Sequence, residues 1–282
     1  MLRAKEKQAI KLEFKEKLTA FVKTLESHIS SSDRQWTVKG FIDIYKSIFT
    51  ISSDTKILSK ILEIHLFPKI LQFAETNDLK IVLAEHQNYY PDISFVSSRD
   101  ESIKFALDLK TTYRLPDNPE FYNGFTLGSH GQYFVDRSSR KNIQFPYSQY
   151  LGHFCLGIIY TRCARSDIQE TRVHKLSELT SIVSVIKDFQ FFVREKWEIA
   201  SDSRGSWNTA NIGSVFKISD ILGGNGVFKN LGEKWFDEYW MNYGKITLPR
   251  AGNKKITRLK DFLIYRGKNP SLAVPVARPR KA

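Results

Sequence analysis

An α/β (α+β) fold is predicted, on three observations. Apolar residues recur at helical spacing near the N-terminus, two neighbouring segments alternate with period two, and helical spacing returns near the C-terminus. Taking the elements in order, Ile10, Phe14, Leu18, Phe21, Leu25 and Ile29 fall on one face, so residues 5–29 read as an amphipathic helix. In "SSDTKILSKILEIHLF", Ser53 or Asp54 caps a second helix; its buried side is Ile57, Leu58, Ile61 and Leu62, with Glu63 at the edge of that face. Residues 92–97 and 102–110 read as strands joined by the polar turn "SSRDES". "YSQYLGHFCLGIIYTR" reads as a buried helix, or a helix and strand, and "DFQFFVREKWEIA" as a strand pair or one long strand. "SDSRGSWNTANIGS" carries loop chemistry. Helices are expected around 232–243 and 257–264, and the tail "GKNPSLAVPVARPRKA", basic and Pro-containing, is expected to be mobile.

A chain of 282 residues buries one substantial core, and no composition break forces a domain boundary. Its 43 Lys and Arg against 30 Asp and Glu leave a net charge of +13, which points to a polyanionic partner, nucleic acid before an anionic membrane surface. No stretch approaches a membrane span, and "MLRAKEKQAIKLEFKEK" has charges where a signal peptide needs an apolar run. Cys155 and Cys163 have neither metal-binding nor redox spacing, and the six histidines form no close pair. These readings lead to the expectation of a cytoplasmic protein without structural zinc.

The chemistry concentrates in residues 88–114. In "IKFALDLK", Ile103, Phe105, Leu107 and Leu109 share one face, while Lys104, Ala106, Asp108 and Lys110 share the other. A hairpin turning near Asp100 sets Asp92 across from Asp108. Two carboxylates that close repel unless a cation lies between them, and hard oxygen ligands suit Mg²⁺. A neighbouring lysine would stabilise charge on an attacked phosphate or hold the attacking water. The residues alone leave a second reading open, a polar hairpin face with a salt bridge. His65 and His153, in apolar runs, read as packed and not catalytic.

"PD" at 91–92 followed by "DLK" at 108–110 matches the PD-(D/E)xK nuclease motif. More closely, the chain resembles the EcoRV family of type II restriction endonucleases. The resemblance is carried in order by "SDTKILSKILEI", "QNYYPDISF", "DLKTTY", "FTLG", "KNIQFPYSQY", "YTR", "WNTANIGS" and "IYRGK", over about residues 50–268. It implies a restriction-endonuclease-like core, a mixed central β-sheet flanked by helices, in one domain over 1–267. Within it, 1–50 would be an N-terminal helical and dimerisation region, 51–200 the catalytic core and 201–267 the DNA-recognition subdomain, followed by the tail 268–282.

The implied activity is Mg²⁺-dependent hydrolysis of double-stranded DNA by a homodimer, with Mn²⁺ able to substitute. The implied target is a GATATC-like palindrome, cut to blunt ends bearing 5′-phosphates. Asp92 and Asp108 would be metal ligands with Glu63 as an additional acid, and Lys110 the catalytic lysine. Gln87 and Asn88 would approach the minor groove. Gly205, Ser206, Trp207, Asn208, Thr209 and Asn211 would form the recognition loop, Asn208 suiting adenine and the Thr209 methyl a thymine methyl. Thr112 and Lys141 fall where phosphate contacts are expected. A cognate DNA methyltransferase is expected in the host, not as a stable subunit. Trp207 and Ala210 depart from the family, which has glycine and a second threonine there, and this bears on the target sequence. The alternatives are a structure-selective repair or junction-resolving nuclease of the same core, and a DNA-binding protein without catalysis.

Overall fold

The computed structural model describes residues 3–86, 88–164, 172–205, 210–248 and 254–279. Its first half contains α1 (Ala4–Val22), α2 (Leu25–Ile29), β1 (Gly40–Ile42), β2 (Ser47–Thr50), α3 (Thr55–Thr76), β3 (Leu79–Leu83), β4 (Ile93–Ser97), β5 (Lys104–Leu115), β6 (Asn118–Tyr122), β7 (Thr126–Ser129) and α4 (Gln132–Val135). There follow β8 (Tyr150–Arg162), β9 (Val173–Lys175), β10 (Ile186–Glu195), α5 (Lys196–Ile199), β11 (Ala200–Arg204), β12 (Asn211–Ser214), α6 (Ile218–Gly223), α7 (Glu233–Asn242), β13 (Thr247–Leu248), β14 (Lys254–Lys255) and α8 (Leu259–Tyr265).

The main sheet has the order β10-β8-β5-β4-β3, with β6 added beside β5. Only β5 and β8 run parallel; the other pairs are antiparallel, so the sheet is mixed. Alternate residues of β5 serve two cores. Phe105 and Leu107 pack with Phe14, Leu18, Leu58 and Leu62 from α1 and α3, while Ala106 belongs to the core that Tyr239, Trp240 and Phe262 build from α7 and α8. Helices therefore cover both faces of this strand.

The expected helix over 5–29 is interrupted at Lys23 and Thr24, where the Thr24 N–H and hydroxyl both donate to the Phe21 carbonyl. Asp54 caps α3, accepting from the N–H groups of Lys56 and Ile57. Its buried line is Leu58, Leu62, Leu66, Ile70 and Phe73, whereas Ile57, expected inside, is exposed. The apolar run expected as a helix, or helix and strand, is one 13-residue strand, β8, after a 3₁₀ turn at Tyr147–Gln149. A central strand covered on both faces loses the alternation that would announce it. "DFQFFVREKWEIA" divides into β10 and the single turn α5. The glycine-rich stretch is loop-like only in part, because β11 and β12 pair antiparallel and β12 adds β7 to form a small second sheet.

The C-terminal segment differs from the mobile tail expected. Residues 270–272 form a 3₁₀ turn, Ala273 is buried, and the Val274 N–H donates to the Val227 carbonyl at 3.1 Å. Val276 packs against the α7–α8 core. Apolar residues spaced between the prolines of "LAVPVARP" give this segment a packing face without any helical or strand period.

Candidate active site

β4 and β5 are antiparallel with Ile93 opposite Leu107, so the next position outward sets Asp92 against Asp108. Asp92 Oδ2 accepts the Leu109 N–H at 2.7 Å, which fastens the end of one strand to the next. Asp108 is only 4% exposed, and Lys110 Nζ stands 2.9 Å from its Oδ2. Upstream, Tyr90 is tied on both sides of its peptide unit, its N–H donating to Asn142 and its carbonyl accepting from Gln144. The Tyr90–Pro91 peptide bond is cis. Tyr90 Oη and His153 Nδ1 are hydrogen-bonded at 3.0 Å, and His153 stacks on Tyr147 with ring centres 3.6 Å apart. Burial, with nearby cations adding to it, holds His153 well below the usual imidazole range, so it is a neutral packing group, as its apolar setting suggested.

The surroundings shift the three site groups in different directions. Burial and the neighbouring Asp108 push Asp92 up to about 7, only partly offset by Lys110 and the Leu109 N–H. Burial acts to raise Asp108 too, but the Lys110 and Lys196 ammonium groups outweigh it and hold this carboxyl below its ordinary value. For Lys110, burial is outweighed by Asp108 and Asp92, so its ammonium is held above the usual lysine value. The two carboxyls are thus driven apart, Asp92 upward and Asp108 downward, as expected of two coupled buried carboxylates.

Lys196 is a site residue that reading the sequence missed. The first residue of α5, it is 3% exposed and holds its Nζ 3.6 Å from the centre of the Tyr90 ring. Burial, opposed by Asp108, brings its amine down to about 8. Gly128 makes room for it: its φ is +85°, and a Cβ there would lie 3.0 Å from Lys196 Nζ. No local signal in "VREKWEI" marks this lysine, because its neighbours Tyr90 and Gly128 come from distant parts of the chain.

A cleft of about 400 Å³ opens above these groups, with Asp92, Asp108 and Lys110 in its lining and Asn88, Lys141 and Asn211 beside them. Other expected residues are placed elsewhere. Glu63 pairs with Lys60 along α3, and no cluster of three acid, His or Cys side chains suited to a metal forms among the described residues. Thr112 is buried, its hydroxyl directed at the Gly124 carbonyl at 3.4 Å, and does not line the cleft. Gly205 lines a separate cleft. Gln87, Ser206, Trp207, Asn208 and Thr209 lie outside the described residues.

The donor set suits a hard divalent cation, for which one or two carboxylates and several waters suffice. Asp108 Oδ2 is buried, with the Lys110 ammonium 2.9 Å away as its charged partner. With Asp92 deprotonated, two carboxylates and one ammonium face the same small volume, an arrangement able to bind a cation and a phosphate together.

The model of the family described as "Restriction endonuclease EcoRV" matches residues 32–267. The type II restriction enzyme EcoRV of Escherichia coli is 34% identical over 239 residues, 84% of this chain and 94% of that protein. Among solved structures, NlaIV restriction endonuclease covers 93% of this chain and 92% of its own at 11% identity and a TM-score of 0.37, too loose a superposition to argue from. On the family match and the identity together, this chain belongs to the EcoRV restriction endonuclease family and is a DNA-cleaving hydrolase.

Proposed function

We propose that the enzyme hydrolyses double-stranded DNA at a short palindrome, GATATC or a close variant, leaving blunt ends with 5′-phosphates. The observation that carries this reading is the meeting of Asp92, Asp108 and Lys110 at one cleft in a chain of charge +13. Asp92 and Asp108 would hold Mg²⁺, with Mn²⁺ able to substitute; Glu63 is not needed in this assignment. Such a cation, when bound, supplies positive charge against the phosphate and a water of lowered pKa. Lys110 keeps its charge and faces the attacked phosphate, so it acts on negative charge that develops in the transition state. Asn88 and Lys141, beside the cleft, orient the DNA backbone.

The domain plan follows the same reading: 51–200 for catalysis and 201–267 for recognition, through Asn208, Thr209 and Asn211. Trp207 replaces the family's glycine, and each altered base contact is worth about 1–3 kcal/mol, enough to redirect an outer base pair. The working unit is a homodimer, because a palindrome is read by two copies related by its own two-fold axis. Support comes from the exposed apolar face of the β1-β2-β9 sheet, with Phe41, Phe49 and Val173 on its strands. The β1–β2 turn carries Ile44 and Tyr45, 88% and 82% exposed, residues that a second copy would cover. The reaction belongs in the cytoplasm beside a separate methyltransferase that protects host DNA.

The test is a competition digest of GATATC against all its single-base variants in Mg²⁺, with an EDTA control and Asp108→Ala. Cleavage at one of these sites, lost in EDTA and in the variant, is expected. Full cleavage in EDTA would sink the metal assignment, and preference for an unrelated sequence would sink the target.

A further inference from the structure

We propose that Arg204, Arg258 and Arg278 form a second phosphate-binding cleft, along the β11–β12 hairpin, that takes a DNA backbone phosphodiester beyond the scissile one. The inference rests on the nuclease reading and adds to it a contact made by the C-terminal segment. This cleft, of about 550 Å³, is lined by the three arginines together with Ser, Thr, Asn, Gly and aromatic residues, and among the described residues no carboxylate lines it. Two of the arginines, 20 residues apart in sequence, converge on one hydroxyl: Arg258 Nη1 donates to Ser203 Oγ at 2.8 Å and Arg278 Nη2 at 3.1 Å. A guanidinium carries five N–H donors, so most of this set is left for an acceptor such as a phosphate. Asp202 stands 3.5 Å from Arg258, but its oxygens also accept from the Leu259 N–H at 3.1 Å and the Ser203 hydroxyl at 3.2 Å.

Arg278 is delivered by the packed tail, held through Ala273, Val274 and Val276. The family match ends at residue 267, so this arginine comes from outside it. The position suits DNA. Thr126 lines this cleft while Gly128 and Ser129, on the same strand β7, line the active-site cleft. Two to three residues at roughly 3.3 Å each separate them by about 7–10 Å. That is the axial rise of about two to three nucleotides of one strand. A strand lying in the active site would therefore bring a neighbouring phosphate to the arginines.

The experiment measures binding of a duplex of about 20 base pairs, free of the target, in EDTA over a range of salt. Each phosphate contact adds about 0.9 to the slope of log K against log salt. Arg278→Ala and Arg258→Ala should each lower that slope by about 1 per subunit, Arg278→Lys should restore most of it, and Arg99→Ala, in the β4–β5 turn, should leave it unchanged. Arg278 is exposed, so an unaltered melting temperature is expected for its variants. Wild-type binding with an unchanged slope in both alanine variants would overturn this inference alone, as would an equal loss in Arg99→Ala. Wild-type protein that binds no duplex even at low salt would bring down the nuclease reading itself.

Discussion

Asp92 and Asp108 face each other across one hairpin, and their surroundings drive them in opposite directions. Asp92, raised to about 7, keeps in the native state a proton that the unfolded chain gives up near 3.8. The native state therefore binds more protons between those values, and its stability falls as pH rises through them. Asp108, held below its ordinary value, contributes with the opposite sign and only in stronger acid. His153, buried neutral, also acts oppositely, losing stability as pH falls below the ordinary histidine range. A comparison with Asp92→Asn isolates the first contribution. In metal-free buffer the melting temperature of Asp92→Asn relative to wild type should climb between pH 5 and 8, by the equivalent of a few kcal/mol at most. A difference that is flat or falls over that range would show that Asp92 is not the proton holder. The Asp92–Asp108 pairing was legible in the residues, since period two and a short turn fix the register. Lys196 was not, because a single turn of helix after a strand gives no hint of what lies beneath it.

Among the elements, α1 is fastened to β10, α5 and α7 by buried charges. Lys11, 6% exposed, reaches Glu195 at 2.7 Å and Glu233 at 2.8 Å, and Lys15 reaches Glu195 at 3.2 Å and Glu198 at 2.7 Å. In the sequence Lys11 is one of several lysines between apolar positions, with nothing to separate it from the solvated ones. Removing one partner of such a pair strands the other charge in a poor solvent. Lys11→Met should cost about 3 kcal/mol in a urea titration, the low end for a broken buried pair because Lys15 still neutralises Glu195. A loss under about 1 kcal/mol would show that water reaches these carboxylates. The same comparison explains β8: its amino acids state burial clearly and conformation not at all, because strand and helix interiors draw on the same residues.

For the whole molecule, the exposed apolar β1-β2-β9 face and the palindromic target proposed above would both be served by a two-fold partner. Sedimentation at micromolar concentration should give a dimer, and Ile44→Asp with Tyr45→Asp should give a monomer whose melting is little changed but whose double-strand cleavage is lost. These two side chains lie almost wholly in solvent, so their replacement leaves the subunit core intact. A monomer of wild-type protein that makes double-strand breaks would contradict the proposal.

By itself the sequence determined the fold class, the start of α3, the ends of α7 and α8 to within a few residues, the facing carboxylates with their lysine, and the family. Each of these rests on short-range rules: period, capping, strand alternation, and blocks of residues kept in order. Only the tertiary structure decided that both faces of β5 are buried, that the surroundings push the Asp92 carboxyl up and hold that of Asp108 down, and that Lys196 lies against the Tyr90 ring. It also decided that residues 270–278 pack and deliver Arg278 to the hairpin. Burial and charge at these places are sums over groups from distant parts of the chain, and no local pattern of amino acids encodes such a sum.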